Sequence, residues 1–384
     1  MNYTWNFKPL PPQATVIQLQ QELNISEPLA ILLAQRGITT FQQAKDFFRP
    51  TLSQLHNPFL MKGMKEAVTR LDHALKNNET ILIYGDYDVD GTSAVSLMER
   101  YLSTFTSKLF TYVPDRYTEG YGISFQGIDY AEAQGCTLII ALDCGIKAID
   151  KVQYAKEKGI DCIIADHHRP SDQVPDAVAV LDPQQADCPY PYKELCGCGL
   201  GFKLAQAYHE YLQRPFSELM PLLDLVAVAT AADIVPMNGE NRTLMCFGLE
   251  VINEQPSAGV KALFGEHQGT ITVSDVVFKA APRINAAGRI EHGKYAVALL
   301  TEPDAEKALL KAQEIDELNT HRKELDSYIA EQALGQIESN GEQNRYTSVV
   351  LNEEWHKGVI GIVASRLIEH YYRPTIVFTK SGDK

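Results

Sequence analysis

Five times along the chain a short apolar run stops at an aspartate: ILIYGD (81–86), LFTYVPD (109–115), LIIALD (138–143), CIIAD (162–166) and VAVLD (178–182). Runs that are apolar throughout, rather than alternating, read as strands buried on both faces. The stretches between them, such as TSAVSLMERYL and IDKVQYAKEKG, have helical periodicity. The pattern predicts an α/β fold, a parallel sheet with helices on both faces. In such sheets ligands bind beyond the carboxyl ends of the strands. The strand-end aspartates therefore collect acid along one rim.

The densest acid is in GDYDVDG, where Asp86, Asp88 and Asp90 alternate before Gly91. Three like charges this close favour a divalent cation, which removes their repulsion and accepts oxygen ligands. Two other readings compete. A calcium EF-hand loop beginning at Asp86 needs a bidentate Glu at its twelfth position, which is Leu97, and a helix where ILIY reads as a strand. Helix capping by aspartate explains one of the three but not the set. The same rim receives Asp143 from LDCG, and Asp166, His167 and His168 from IIADHHRP. Carboxylates with imidazole suit manganese or magnesium, and four or five carboxylates suit two ions about 3.5–4 Å apart better than one.

GDYDVDG, LDCG and ADHH, in this order on successive strands, resemble the first three motifs of the DHH phosphoesterase superfamily. The resemblance implies metal-assisted phosphoester hydrolysis. Within that superfamily PRINAAGR (282–289) and WHKGVIGIVASRL (355–367) are similar to segments of the RecJ-type exonucleases. That type implies a 5′ to 3′ exonuclease that releases 5′-mononucleotides from single-stranded DNA in recombination and repair. Single-strand-binding protein and a helicase follow as further partners, with no membrane. The alternatives are a DHH phosphodiesterase acting on short oligonucleotides or cyclic dinucleotides, and a non-catalytic DNA-binding scaffold.

The resemblance also assigns roles. Asp88, Asp90, Asp143, His167 and Asp233 are expected to hold two Mn²⁺ or Mg²⁺ ions, with Asp86 a ligand or a supporting partner. Asp233 closes the helical run DLVAVATAADIVPM; Asp224, earlier in that run, competes as a capping or paired residue. His168, with Asp88 and Asp143, completes the expected catalytic set by donating to a phosphoryl oxygen or the leaving group. Arg283, Asn285 and Arg289 form an expected phosphate clamp, since a guanidinium donates two parallel hydrogen bonds. His356 and Gly358, at the opening of a helix facing the cleft, are expected to touch substrate.

Around this centre the chain divides into four expected segments: a helical region, 1–75; the DHH domain, 76–300; a long connecting helix, 301–340, opened by TEPD; and the start of a DHH-associated α/β domain, 341–384. NEQPSAGVKALFGEHQGTITVSD reads as turn-rich. RecJ-type proteins continue into a Gly-rich, His-containing segment and an OB fold, so the sequence is expected to be a fragment. Gly197, Gly199 and Gly201 suit either phosphate approach or tight packing. Cys188, Cys196 and Cys198 lack a fourth ligand nearby and read as buried thiols rather than a zinc site. Seven scattered cysteines and no secretory pattern fit a reducing cytoplasm. A net charge of −14 argues against gripping duplex nucleic acid by charge alone.

Overall fold

The computed structural model describes residues 4–381; the outermost ends of the first and last expected segments, 1–3 and 382–384, lie outside them. The five apolar runs form the strands β1 (Thr80–Gly85), β2 (Leu109–Tyr112), β3 (Cys136–Leu142), β4 (Asp161–Ala165) and β5 (Ala179–Leu181). They make one parallel sheet in the order β2-β1-β3-β4-β5. Successive side chains of a strand point to opposite faces. Ile81, Ile83, Leu138, Ile140, Leu142 and Ile163 enter the larger core, under the helices Met64–Lys76, Val89–Leu102, Gly197–Tyr211 and Leu223–Ala232. Leu82, Tyr84, Ile139, Ala141, Cys162 and Ile164 enter a smaller core under Phe125–Ala133 and Ile149–Glu157. Both faces are covered, which is why the strands read as unbroken apolar runs.

The chain runs outward from β1 to β2 and then returns past β1 to β3. The strand order therefore reverses between β1 and β3, and a crevice opens at their carboxyl ends. Asp86 and Asp143, the residues that follow these two strands, flank it.

Three short helices, Gln13–Leu23, Glu27–Ala34 and Phe41–Phe48, pack around their own small core of Val16, Leu19, Ala30 and Leu33. Met64–Lys76, expected with them, instead lies on the sheet. The turn-rich reading fails at Ala258–Phe264, which is helical and buries Val260 and Leu263. PRINAAGR lies in the helix Ala281–Ile290, directly after a π-helical turn at Val276–Ala280.

The long helix runs from Ala305 to Ser339. Its cap is Asp304, which accepts from the Lys307 amide, and not the TEPD threonine; Thr301 bonds back to Val297 at the end of the preceding helix. Its first half buries Ala308, Ala312 and Ile315 in the main core. The second half buries Ile329, Ala333 and Ile337 in a separate core with Trp355, Val359 and Val363. Leu309, in the first half, is exposed. Beyond this helix β6 (Ser348–Leu351) and β7 (Thr375–Phe378) pair in parallel around the helix Ile360–His370.

Candidate metal centre

The local backbone of the crevice is set by close approaches that only glycine permits. A Cβ on Gly91 would lie 2.4 Å from the Asp86 carbonyl, and one on Gly197 would lie 2.4 Å from Asp143 Cβ. The helix Gly197–Tyr211 can therefore point its first amides into the crevice. Asp90 accepts from the amides of Gly197 at 2.6 Å and Cys198 at 2.8 Å. Asp88 caps its own helix, accepting from the Gly91 amide at 3.0 Å. Capping is thus a real role for two of the three aspartates, without exhausting their oxygens. Asp143 sits at φ 59°, a left-handed conformation that costs a non-glycine residue about 1–3 kcal/mol. Asp166 accepts from the Ile146 amide at 2.8 Å and from His168 Nδ1 at 2.8 Å.

These anchors bring four of the expected residues to one point. His167 Nε2 lies 3.2 Å from Asp143 Oδ1, 3.6 Å from Asp233 Oδ2 and 3.7 Å from Asp90 Oδ2. Asp143 Oδ1, His167 Nε2, Asp233 Oδ2 and Asp86 Oδ2 are buried without a hydrogen-bond partner. Burial, then the charge of neighbouring carboxylates, lifts Asp86 and Asp233 to about 7. Burial likewise raises Asp90 and Asp143. Unpartnered acceptors converging in low dielectric are costly unless a cation binds them. The oxygen-rich set with one imidazole fits a hard divalent ion.

A cavity of about 300 Å³ is lined by Asp86, Asp88, Asp90 and Asp233 together with Arg116, Tyr121, Asn285 and Arg289. The Arg116 guanidinium lies 4.6 Å above the Tyr87 ring. Arg289 is held by the Gly358 carbonyl, 3.2 Å from Nη1, and its own carbonyl accepts from Tyr117. Burial, with Arg116 and Arg322 nearby, lowers its pKa. The Tyr121 hydroxyl lies 3.1 Å from the Asp143 carbonyl and 3.1 Å from His168 Nε2. Asp166 holds the His168 pKa above its usual value against the effect of burial.

Other expected site residues lie elsewhere. Arg283 pairs with Asp316 at 2.6 Å and with the Leu263 carbonyl, tying its helix to the long helix rather than facing the cavity. His356 Nδ1 accepts from the Gly358 amide at 3.1 Å, and its ring meets the edge of Tyr117. His356 and Gly358 thus buttress Arg289 from behind and do not line the acidic cavity. Asp224 is fully buried, paired with Arg100 at 3.0 Å and capped by the Ser257 amide at 3.0 Å. Cys188, Cys196 and Cys198 are buried free thiols; Cys196 caps the helix that frames Asp90. Sequence reasoning did not single out Arg116 or Tyr121. Their signal was the polar, aromatic and Gly-rich run RYTEGYG directly after a strand end.

An imidazole among strand-end carboxylates, on the rim of a doubly covered parallel sheet, defines a DHH-type domain. The DHH family, N-terminal domain, matches residues 80–230. The single-stranded-DNA-specific exonuclease RecJ of Bacillus subtilis (strain 168) is 40% identical over 377 residues, which are 97% of this chain and 47% of that protein. The chain thus spans about half the length of that relative. A crystal structure of RecJ from Thermus thermophilus in complex with Mn²⁺ superposes with a TM-score of 0.83 and 30% identity, over 96% of this chain and 53% of that one. A crystal structure of exonuclease RecJ bound to manganese gives a TM-score of 0.77 and 32% identity, over 86% of this chain and 82% of that one. The chain belongs to the RecJ family.

Proposed function

We propose that the chain carries the catalytic centre of a metal-dependent exonuclease that degrades single-stranded DNA from its 5′ end to 5′-mononucleotides, in the cytoplasm, during recombination and repair. The observation that carries this reading is the set of buried, unpartnered atoms Asp143 Oδ1, His167 Nε2 and Asp233 Oδ2, gathered where Asp233 lines one cavity together with Arg116 and Arg289. Carboxylates that bind cations opposite guanidinium groups that bind phosphate match a phosphodiester on its way to hydrolysis. The relatives' names supply the substrate, and the manganese in two related structures agrees with the oxygen-rich donor set.

Asp90, Asp143, His167 and Asp233 would hold one ion between them, and Asp86 and Asp88, on the same wall, would hold or support a second. When bound, two Mn²⁺ or Mg²⁺ ions supply Lewis acidity at the phosphoryl oxygens and lower the pKa of water. The protein's own residues do the rest. Gly197 and Cys198 amides fix Asp90, and the strand end fixes Asp143. Arg289 and Arg116 orient the backbone phosphates and offset their charge. His168, kept protonated toward higher pH by Asp166, would give a proton to the phosphoryl oxygen or the departing 3′ oxygen. Asp166 orients that ring and holds its charge.

Single-strand-binding protein and a helicase, which would present the strand, complete the proposal. The test is digestion of 5′-phosphorylated, 3′-labelled single strands and matched duplexes in manganese. Progressive shortening of the single strand from its 5′ end, with mononucleotide products, is expected. An intact single strand, or equal degradation of the duplex, would overturn the reading.

A further inference from the structure

A second cavity, of about 420 Å³, opens on the far side of His168. Tyr121 is a wall of both cavities, and His168 and Asp166 line the second where it meets the metal centre. Its lining includes Ser124 and Phe125, at the start of the helix Phe125–Ala133, and Lys147 and Lys151. The volume lies within the range of small-ligand pockets, roughly 300–1,000 Å³.

Its acids are already engaged. Glu119 accepts from the Tyr112 hydroxyl at 2.9 Å, the Asp115 amide at 2.8 Å and the Ser124 hydroxyl. Asp166 is bound to His168 and the Ile146 amide. The cations are less committed. Among the described residues Lys147 makes no ion pair or side-chain hydrogen bond; Lys151 meets only its exposed neighbour Asp150, at 2.8 Å. In a chain with a net charge of −14, Lys147 and the exposed Lys151–Asp150 pair thus bring positive charge to the same cavity as the His168 imidazole. That arrangement selects an anion. The Phe125 and Tyr121 rings, both partly exposed, offer faces and edges to a flat heterocycle. The Lys151 ammonium stands 5.3 Å from the Phe125 ring, so anion and ring contacts fall within one small molecule's reach.

We propose that this cavity binds a nucleoside monophosphate, with Lys147 and Lys151 on the phosphate and Phe125 and Tyr121 against the base. Its source rests on the exonuclease reading: it is the mononucleotide leaving the metal centre past His168. Occupancy would hold product next to the reacting groups and slow the next cycle.

The test is calorimetric titration of dTMP into the chain in excess EDTA, which removes the metal centre as a competing site. Measurable binding is expected, weakened about 10-fold or more in the Lys147→Glu/Lys151→Glu double variant and unchanged in Asp233→Asn. Thymidine and inorganic phosphate should each bind more weakly than dTMP. No heat at millimolar dTMP, equal affinity in wild type and double variant, or inorganic phosphate binding as tightly as dTMP would each overturn the proposal. Lysine-dependent dTMP binding by a chain that leaves single strands intact would keep the cavity and remove the exonuclease reading. Degradation of single strands without lysine-dependent binding would do the reverse.

Discussion

On one wall of the acidic cavity Asp90 is gripped by two backbone amides, and Asp143, which meets the same His167 nitrogen, is fixed at a strand end, both against the main core. On the opposite wall Arg289 extends from a helix packed on the long helix, and its guanidinium leans on the carbonyl of Gly358, in the second α/β unit. The acidic wall is therefore preorganised by the sheet itself, where small shifts are resisted by close packing. The arginine wall depends on how two cores meet along one helix. Chemistry should fail abruptly when the first wall is changed, and by degrees when the second is.

The sharpest break is at Asp143. Asp143→Asn keeps the shape and removes a charge needed for cation binding, so manganese-dependent turnover of single-stranded DNA should fall by on the order of 10³-fold while circular dichroism is unchanged. Arg289→Ala removes one preorganised donor and should lower kcat/KM by about 10²-fold. Arg283→Ala, on the same helix, should lower the Tm with little effect on kcat/KM, because its partners are Asp316 and Leu263. If the two variants lose activity equally, the arginine wall has been drawn wrongly.

Smaller effects probe the hinge between the walls. A Cβ on Gly358 would lie 2.3 Å from both the Arg289 carbonyl and the Tyr117 hydroxyl. Gly358→Ala should displace Arg289 and raise KM by about 10-fold with less change in kcat. The calorimetric manganese affinity should not change. A loss of manganese binding would mean that the two walls move together.

The smallest effect is on stability. Asp86 and Asp233 have folded pKa values of about 7, above the unfolded value of about 3.9. A raised carboxyl group stabilises the fold below its unfolded pKa and loses that contribution as pH rises through the folded one. In EDTA the Tm should therefore fall by about 2 °C or more between pH 6 and pH 8. Saturating manganese should abolish or reverse the fall, since cation binding favours the ionised form. A Tm in EDTA that rises over this interval would contradict the burial assigned to these two groups.

The same contrast explains what was legible in the sequence. Asp86, Asp143 and His167 were readable because each follows a strand whose apolar run announces itself, and strand ends of a parallel sheet must meet at one rim. The register that sends Ile81 and Ile83 to one core and Leu82 and Tyr84 to the other follows from the same rule. The arginine wall offered no such rule. Arg283 and Arg289 are six residues apart in one short segment, yet only the tertiary packing of that helix sends one to Asp316 and the other to the cavity. Arg116 and Tyr121 come from a loop, where no periodicity marks a direction. Gly197 was ambiguous between phosphate approach and packing. Its close contact with Asp143 Cβ shows the packing role, and its amide serves Asp90 rather than a substrate.

Whether the converging carboxylates and one imidazole form a two-ion centre is tested most directly by calorimetric titration of Mn²⁺ into the metal-free protein at pH 8. About two ions per chain are expected for the wild type, with at least one lost in both Asp143→Asn and His167→Gln and none lost in Asp224→Asn, whose carboxylate belongs to Arg100. Manganese binding that survives both of the first two substitutions, or that depends on Asp224, would contradict a centre built from these residues.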